Sequence, residues 1–397
     1  MTITKSQSYL LLIALTALAV VARTGPVVDA LLLLTAGLFS LELVLRPQLP
    51  QRVRLVLVAF VILFLIYLSL TFARPSGGGI VNVVGVAISG IFFLFFAQNA
   101  QKIIAARGST LLLSGIALLV LLAGYGLHIA NKNTVSGITA YFILAAGVVA
   151  IARGAPLLRT SFIVAMALSV MGILVEHRLM TGVSIGFLGV VLMLQLAPLR
   201  MIRNLSLLIL VGGILLFIAL FAGLWGMDIR NFDDLFIEYT GRTARSGRQI
   251  IWPIIIAATA DSPWFGLGTG ATFSNLYNSN WSAHSYFLQI YMQVGIIGLT
   301  ALLLVLLAVW SAIGPPMRSQ PLRIYLTGCL IMLLIHMSFE VFLMQVNLLM
   351  GCVVWMMLGL GIGGIRASAQ TGPTKPNTQP EPHRAAPPLS DGVIPTQ

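Results

Sequence analysis

The sequence predicts an all-helical protein that crosses a membrane many times. Hydrophobic residues make up 58% of its 397 residues and charged residues only 9%. Because soluble domains carry about 25% charged residues, this chain cannot cover a globular surface with polar side chains. Its apolar residues are gathered in runs of roughly 20, the length at which a helix spans a bilayer. These observations exclude soluble globular, disordered and disulfide-rich proteins.

About twelve apolar runs are candidate spanning helices. Their predicted ranges are 8–22, 26–45, 53–73, 79–98, 109–129, 137–152, 161–175, 183–198, 204–225, 285–310, 323–344 and 345–365. The first run superficially resembles a signal peptide, but a second apolar run begins within a few residues. We therefore interpret the first run as a retained helix.

The basic residues predict the orientation of these helices. If both termini are cytoplasmic, 15 of the 23 basic residues lie on the cytoplasmic side, which agrees with the positive-inside rule. The net charge of +12 then reflects topology and contact with anionic membrane lipid. Nucleic acid is not a predicted partner, because the basic residues form neither a stripe nor a block. Cys329 and Cys352 lie within apolar runs and are interpreted as buried hydrophobic residues, so no metal site and no cofactor are predicted.

Two segments are not predicted to span the membrane. The tail is rich in Pro, Thr and Gln and is predicted to be disordered in the cytoplasm. The other segment is nearly sixty residues long, faces outward and holds five of the eleven acidic residues. The predicted organisation is helices 1–9 in residues 1–225, the external segment in 226–284, helices 10–12 in 285–365 and the tail in 366–397.

Three arginines recur every three residues in the external segment. Arg242, Arg245 and Arg248 would share one side of a helix, where three permanent cations can bind an anion. Arginine suits phosphate because its planar guanidinium can donate to two oxygens at once. The alternative interpretation is a solvated loop in which these arginines pair with nearby acidic residues.

The rest of the external segment supplies a turn region and a candidate base. The apolar stretch after Arg248 is too short to span and is predicted to lie at the membrane interface or to re-enter it. Pro253 is predicted to occupy its first helical turn. Gly266, Gly268 and Gly270 permit tight turns or close approach to a ligand. His284 opens the next span, where an imidazole can act as a general base near neutral pH.

Other ionisable groups are weaker candidates. His336 and Glu340 lie four residues apart in the eleventh predicted span and are expected to share a helix face, either as a polar pair that supports the site or as a packing pair. Arg178 and Arg74, at external ends of helices, are candidates to complete an anion site.

One window of the sequence resembles a known family. His284 and Ser285, followed by nine residues and then by glycines at 295 and 298, resemble the signature of bacterial O-antigen ligases. The upstream residues "SGRQIIW" and "DSPWFGLGTGATF" resemble the Arg-x-x-x-Trp and glycine-rich patterns of the broader O-antigen ligase and polymerase superfamily. The matched window runs from about Arg242 to Gly298.

This resemblance implies a membrane-embedded glycosyltransferase of the GT-C type. It would act without a metal and with inversion, at a large periplasmic loop between helices 9 and 10 of a bacterial inner-membrane protein. The donor would be a glycan on undecaprenyl pyrophosphate, and the acceptor would be a sugar hydroxyl of lipid A–core in lipopolysaccharide assembly. The resemblance implies catalytic roles for His284 and Arg248, pyrophosphate binding by Arg242, Arg245, Arg248 and Arg178, and supporting roles for Trp252, Ser285 and Gly268.

Two alternatives remain open at the level of sequence. A repeat-unit polymerase of the same superfamily, acting on O-antigen or exopolysaccharide, would use the same chemistry and therefore the same residues. A multi-span transporter or lipid flippase is disfavoured, because such proteins usually have two related halves with polar groups near the middle of the membrane. Here the polar residues gather at one external face.

Overall fold

The computed structural model describes residues 25–45, 49, 51–106, 108–126, 132–197, 200–221, 238, 247–277, 281–344 and 348–370. Within these ranges the regular secondary structure is α-helical, apart from one isolated β-bridge between Met317 and Gln320. In chain order the helices are α1 Gly25–Leu45, α2 Gln51–Ala73, α3 Gly79–Ala105, α4 Ser109–Gly126, α5 Lys132–Ala152, α6 Leu157–Leu174, α7 Arg178–Leu196, α8 Arg200–Phe221, α9 Arg248–Thr259, α10 Phe273–Tyr277, α11 Tyr286–Ile313, α12 Pro321–Phe339 and α13 Leu348–Gln370.

The predicted class of polytopic, all-helical membrane protein is confirmed. Within the described ranges, eight helices are long and apolar enough to cross a membrane: α2, α3, α5, α6, α7, α11, α12 and α13. The total of twelve and the GT-C type stay predictions. The predicted first helix at 8–22 lies outside the described residues.

Several helix boundaries differ from the prediction, such as the end of α3 at Ala105 instead of 98. Three further differences concern the end of α12, the tail and the external segment. Helix α12 ends at Phe339 instead of 344, because Glu340 adopts an extended backbone with φ −140° and ψ 152°. Helix α13 continues to Gln370, a few residues into the segment predicted as tail. Pro253 lies inside α9, not in its first turn, because Gly247 already adopts a left-handed conformation and starts the helix at Arg248.

Helix α13 forms the centre of the bundle and packs along α3 and α5. Of its spanning window, 94% is buried inside the protein. The contact is close because small residues face α3, as is usual where membrane helices approach each other. A Cβ atom on Gly363 would lie 2.3 Å from the Ala97 carbonyl oxygen, and one on Gly359 would lie 2.4 Å from that of Phe93.

Helix α11 is interrupted at Gly295, whose φ of 64° and ψ of −160° are not helical. The segment 262–270, which we call the glycine loop, packs into this break. There the amides of Leu267 and Gly268 donate to the carbonyls of Met292 and Gln293, at 2.8 and 3.0 Å. In return the amides of Ile296 and Ile297 donate to loop carbonyls at Pro263 and Trp264. The loop therefore satisfies backbone groups that the break in α11 leaves without helical partners.

Replacing Gly363 with alanine should destabilise the protein. The new methyl group would overlap the α3 backbone, and overpacking of this kind typically costs about 1–3 kcal/mol. We expect a lower midpoint of thermal unfolding for the purified protein in detergent. The control is Gly182→Ala on α7, where nothing lies within 4 Å of the new methyl group. Equal midpoints for the two variants would contradict the close packing.

Candidate active site

Three ionisable side chains meet where three segments of the chain end or begin. Arg248 is the first residue of α9, His284 precedes the N-cap of α11, and Glu340 follows the last residue of α12. Arg248 donates to the carbonyl of Phe339, the residue before Glu340. Trp252, on the same helix as Arg248, donates to the carbonyl of Ala283, the residue before His284, so the three groups lie near one another. We call these three residues the Arg248 cluster.

The guanidinium of Arg248 is held by Phe339. Its Nη2 donates to the Phe339 carbonyl at 3.5 Å, and its Cζ lies 5.2 Å from the centroid of the Phe339 ring, a cation–π distance. Its Nε is buried and has no hydrogen-bond partner among the described residues. Burial lowers the pKa of Arg248 from its usual value, while the carboxylate of Glu340 acts in the opposite direction. The cluster therefore contains a cation with an unused donor.

His284 occupies a restricted backbone conformation. Its φ is +46°, a left-handed value that only a few per cent of non-glycine residues adopt. Its amide donates to the hydroxyl oxygen of Ser282 at 3.3 Å. Burial, and then the positive charge of Arg248, lower the pKa of His284 to about 4. At neutral pH the imidazole is therefore uncharged and able to accept a proton.

Trp252 and Ser285 fix the backbone on either side of His284. The indole N–H of Trp252 donates to the Ala283 carbonyl at 2.9 Å, and both residues are fully buried. Ser285 is the N-cap of α11, and its hydroxyl accepts from the amide of Leu288 at 3.5 Å. Because Trp252 lies one helical turn after Arg248, α9 positions the cation and the histidine together.

Glu340 also contacts α5, a helix that the sequence predicted but did not connect with the site. Its Oε1 accepts a hydrogen bond of 3.0 Å from Nδ2 of Asn133, near the start of α5. Burial raises the pKa of Glu340 to about 7, and the charge of Arg248 and the hydrogen bond from Asn133 act in the opposite direction. Glu340 therefore changes its charge near neutral pH, directly beside Arg248.

The prediction that His336 and Glu340 share a helix face is wrong. Helix α12 ends between them, so Glu340 points to the Arg248 cluster, whereas Nδ1 of His336 lies 2.8 Å from the Tyr141 hydroxyl. The His336 ring lies 6.1 Å from that of His177, whose Nδ1 is in hydrogen-bond contact with Ser136. His336 therefore belongs to a buried polar group with Tyr141, His177 and Ser136.

This buried polar group is continuous with the Arg248 cluster through α5. The hydroxyl of Ser136 donates to the backbone carbonyl of Asn133 at 3.0 Å, and Asn133 in turn binds Glu340. His177 is the N-cap of α7, and Arg178 follows it as the first residue of that helix. The main chain of Arg178 is thus connected to Glu340 through His177, Ser136 and Asn133. The connection consists of one peptide bond and three hydrogen-bond contacts.

The remaining predicted residues have different outcomes. Arg242, Arg245 and the side chain of Arg178 lie outside the described parts of the structure. Gly268 faces the protein itself, since a Cβ there would lie 2.9 Å from the Ser76 hydroxyl. Arg74 donates to the Ser262 hydroxyl and to the Gly266 carbonyl, so it holds the glycine loop.

Residues 163–303 match the family model described as O-antigen ligase. This match covers Arg178, Arg248, Trp252, His284 and the α11 break. Over this stretch, a little more than a third of the chain, the protein is similar to the O-antigen ligase family. No curated protein matches the chain significantly. Within the described residues, no group of three or more His, Cys, Asp or Glu could hold a metal ion.

The protonation state of His284 can be measured directly. Diethylpyrocarbonate modifies neutral imidazole, so its rate of reaction with His284 should stay constant from pH 8 down to about pH 5. The rate for N-acetylhistidine should fall over the same range because free histidine titrates near pH 6.5. Mass spectrometry of the peptide measures the rate, and a decline that parallels the free amino acid would contradict a lowered pKa.

Proposed function

We propose that this protein is an O-antigen ligase of the bacterial inner membrane, with its active site facing the periplasm. It would transfer a glycan from undecaprenyl pyrophosphate to a sugar hydroxyl of lipid A–core, without a metal and with inversion. The observation that carries the proposal is the neutral His284 beside the cationic Arg248, both inside the segment that matches the O-antigen ligase family. On this view residues 226–284 form the catalytic segment.

The chemistry needs one base and one group that stabilises negative charge. The acceptor hydroxyl forms a bond to the anomeric carbon and passes its proton to His284. The bond between that carbon and the pyrophosphate oxygen breaks, and negative charge grows on the leaving group. Arg248 would stabilise that charge in a site from which water is largely excluded. A positioned base of this kind typically contributes 10²–10⁴-fold to the rate.

Two features of α9 support pyrophosphate binding. The buried Nε of Arg248 is a donor without a partner among the described residues. Arg248 is also the first residue of its helix, where free amides and the helix dipole favour an anion. A pyrophosphate carries more than one negative charge, so we include Arg178, Arg242 and Arg245 in its proposed binding site. The polar contacts that connect Asn133 with His177 support the inclusion of Arg178.

Glu340 and Asn133 are proposed to set how strongly Arg248 attracts the donor. The ionised carboxylate of Glu340 attracts the guanidinium, and Asn133 anchors that carboxylate to α5. His336 acts further away, since its hydrogen bond to Tyr141 joins α12 to α5. Trp252, Ser285 and Gly268 support the main chain around the site.

The activity can be tested with purified protein in nanodiscs and a chelator. Donor glycan on undecaprenyl pyrophosphate is supplied with and without lipid A–core. Product that forms only with lipid A–core supports a ligase. A ladder of longer glycans from donor alone would instead assign the chain to the repeat-unit polymerases, which would use the same residues. Transport of the donor without any transfer would contradict both enzymes.

His284→Asn should lose at least about 100-fold in kcat because the base is absent. Asparagine tolerates the left-handed backbone conformation, so this variant separates the imidazole from the strain that alanine would introduce. The thermal midpoint should be close to that of wild type. Transfer at the wild-type rate by correctly folded His284→Asn would exclude His284 as the base.

The pH dependence should distinguish the two ionisable neighbours of Arg248. kcat should remain high down to about pH 5 and fall as His284 becomes protonated near pH 4. KM for the donor should rise as the pH passes through about 7, because ionised Glu340 offsets the charge of Arg248. Glu340→Gln can still accept from Asn133 but cannot ionise, so its KM should stay low at alkaline pH. An unchanged KM profile in this variant would contradict the role of Glu340.

A further inference from the structure

A second group of arginines lies at the opposite end of α11 from His284. Arg52 comes from the start of α2, Arg200 and Arg203 from the start of α8, and Arg323 from the start of α12. The chain passes from α11 to α12 through residues 314–320, and the arginines gather around the beginning of this connection. We call these four residues the distal arginine cluster.

Backbone carbonyls at the end of α11 and just after it hold three of the four guanidinium groups. Arg203 donates to the Trp310 carbonyl at 2.5 Å, and its Cζ lies 4.1 Å from the centroid of the Trp310 ring. Arg52 donates to the Ala312 carbonyl at 3.4 Å and Arg323 to the Pro315 carbonyl at 3.3 Å. A helix C-terminus carries only about half a negative charge, so these carbonyls do not balance the arginines.

The four positive charges lie close to one another. A Cβ atom on Gly314 would be 3.2 Å from Nη1 of Arg323 and 3.4 Å from Nη1 of Arg52, so both guanidinium groups converge on one point. Arg200 and Arg323 both repel Arg203 electrostatically, and Arg52 repels Arg323. In the described structure, the charges that act on Arg203 and Arg323 are those of other arginines.

Two of these arginines are removed from water. Arg203 is 4% exposed and Arg323 is 8% exposed, and Nε of each is buried without a hydrogen-bond partner in the described structure. Desolvated cations without counter-charges are unfavourable. Arg52 and Arg200 are exposed, so a ligand can reach the cluster from outside the protein.

We infer that the distal arginine cluster binds the phosphate of an anionic phospholipid. The cluster lies at the ends of spanning helices, where lipid headgroups are found, and basic pockets between such helices are a known type of lipid site. Exposed apolar side chains continue from both accessible arginines: Leu55, one turn after Arg52, is 52% exposed, and Met201, next to Arg200, is 71% exposed. These surfaces suit acyl chains, which a free phosphate does not have.

This inference is independent of the proposed glycosyl transfer, because no residue of the Arg248 cluster takes part in it. The bound phosphodiester would offset the repulsion between helices α2, α8 and α12 at the end of α11. Bound lipid is therefore expected to raise the thermal midpoint of the protein.

The test is native mass spectrometry of the full chain in detergent, titrated with phosphatidylglycerol or phosphatidylcholine. Wild type should retain phosphatidylglycerol preferentially. Arg52→Gln/Arg200→Gln changes only the two exposed arginines, so it should fold, and it should bind phosphatidylglycerol about 25-fold more weakly, at about fivefold for each arginine. The control is Arg159→Gln, an exposed arginine near the start of α6 at the same end of the bundle, which should bind like wild type.

Three outcomes would overturn the inference. Equal retention of the two lipids would show that headgroup charge is not recognised. An equal loss in Arg159→Gln would show a general effect of surface charge. Displacement of phosphatidylglycerol by inorganic phosphate, with the same dependence on Arg52 and Arg200, would assign the site to a free anion. A rise in thermal midpoint with phosphatidylglycerol that is absent from the double variant would support the inference independently.

Discussion

The cost of placing polar groups in hydrocarbon constrains the whole structure. A chain with only 34 charged residues can be stable in a bilayer when its charges lie at helix ends or have defined partners. Helix α11 illustrates this at both ends. The Arg248 cluster lies near its first residue, and the distal arginine cluster surrounds its last carbonyls. Buried polar side chains between the two clusters, such as His336 and Tyr141, form hydrogen bonds with each other across neighbouring helices.

The sequence predicts the existence of the described long helices better than it predicts the residues at which they begin and end. Runs of apolar residues have a minimum length imposed by the bilayer, so most described helices begin and end within a few residues of their predicted bounds. The end of α12 was missed because the residues after Phe339 remain apolar, and hydropathy does not reveal an extended conformation at Glu340. The start of α9 was missed because a left-handed Gly247 sets it, ahead of Pro253.

The candidate site was predictable where its residues belong to a short motif. His284, Arg248 and Trp252 were all indicated by spacing within one window, and the structure brings Arg248 close to His284. Asn133 and Phe339 were not predicted, since Asn133 meets Glu340 across 207 residues of sequence and nothing local marks either contact. His177 precedes Arg178, a predicted anion-site residue, but the hydrogen-bond partner of His177 is Ser136, which lies on another helix. Such pairs depend on how helices pack, which a single sequence does not encode in any local pattern.

The break in α11 at Gly295 has a consequence for how this protein can be re-engineered. The glycine loop and the break exchange four backbone hydrogen bonds, two in each direction, so neither has a satisfied backbone without the other. A chimera that takes the glycine loop from a relative must therefore take the corresponding stretch of α11 with it. The stretch to exchange is the whole of Ser262 to Gly298, and His284 lies inside it.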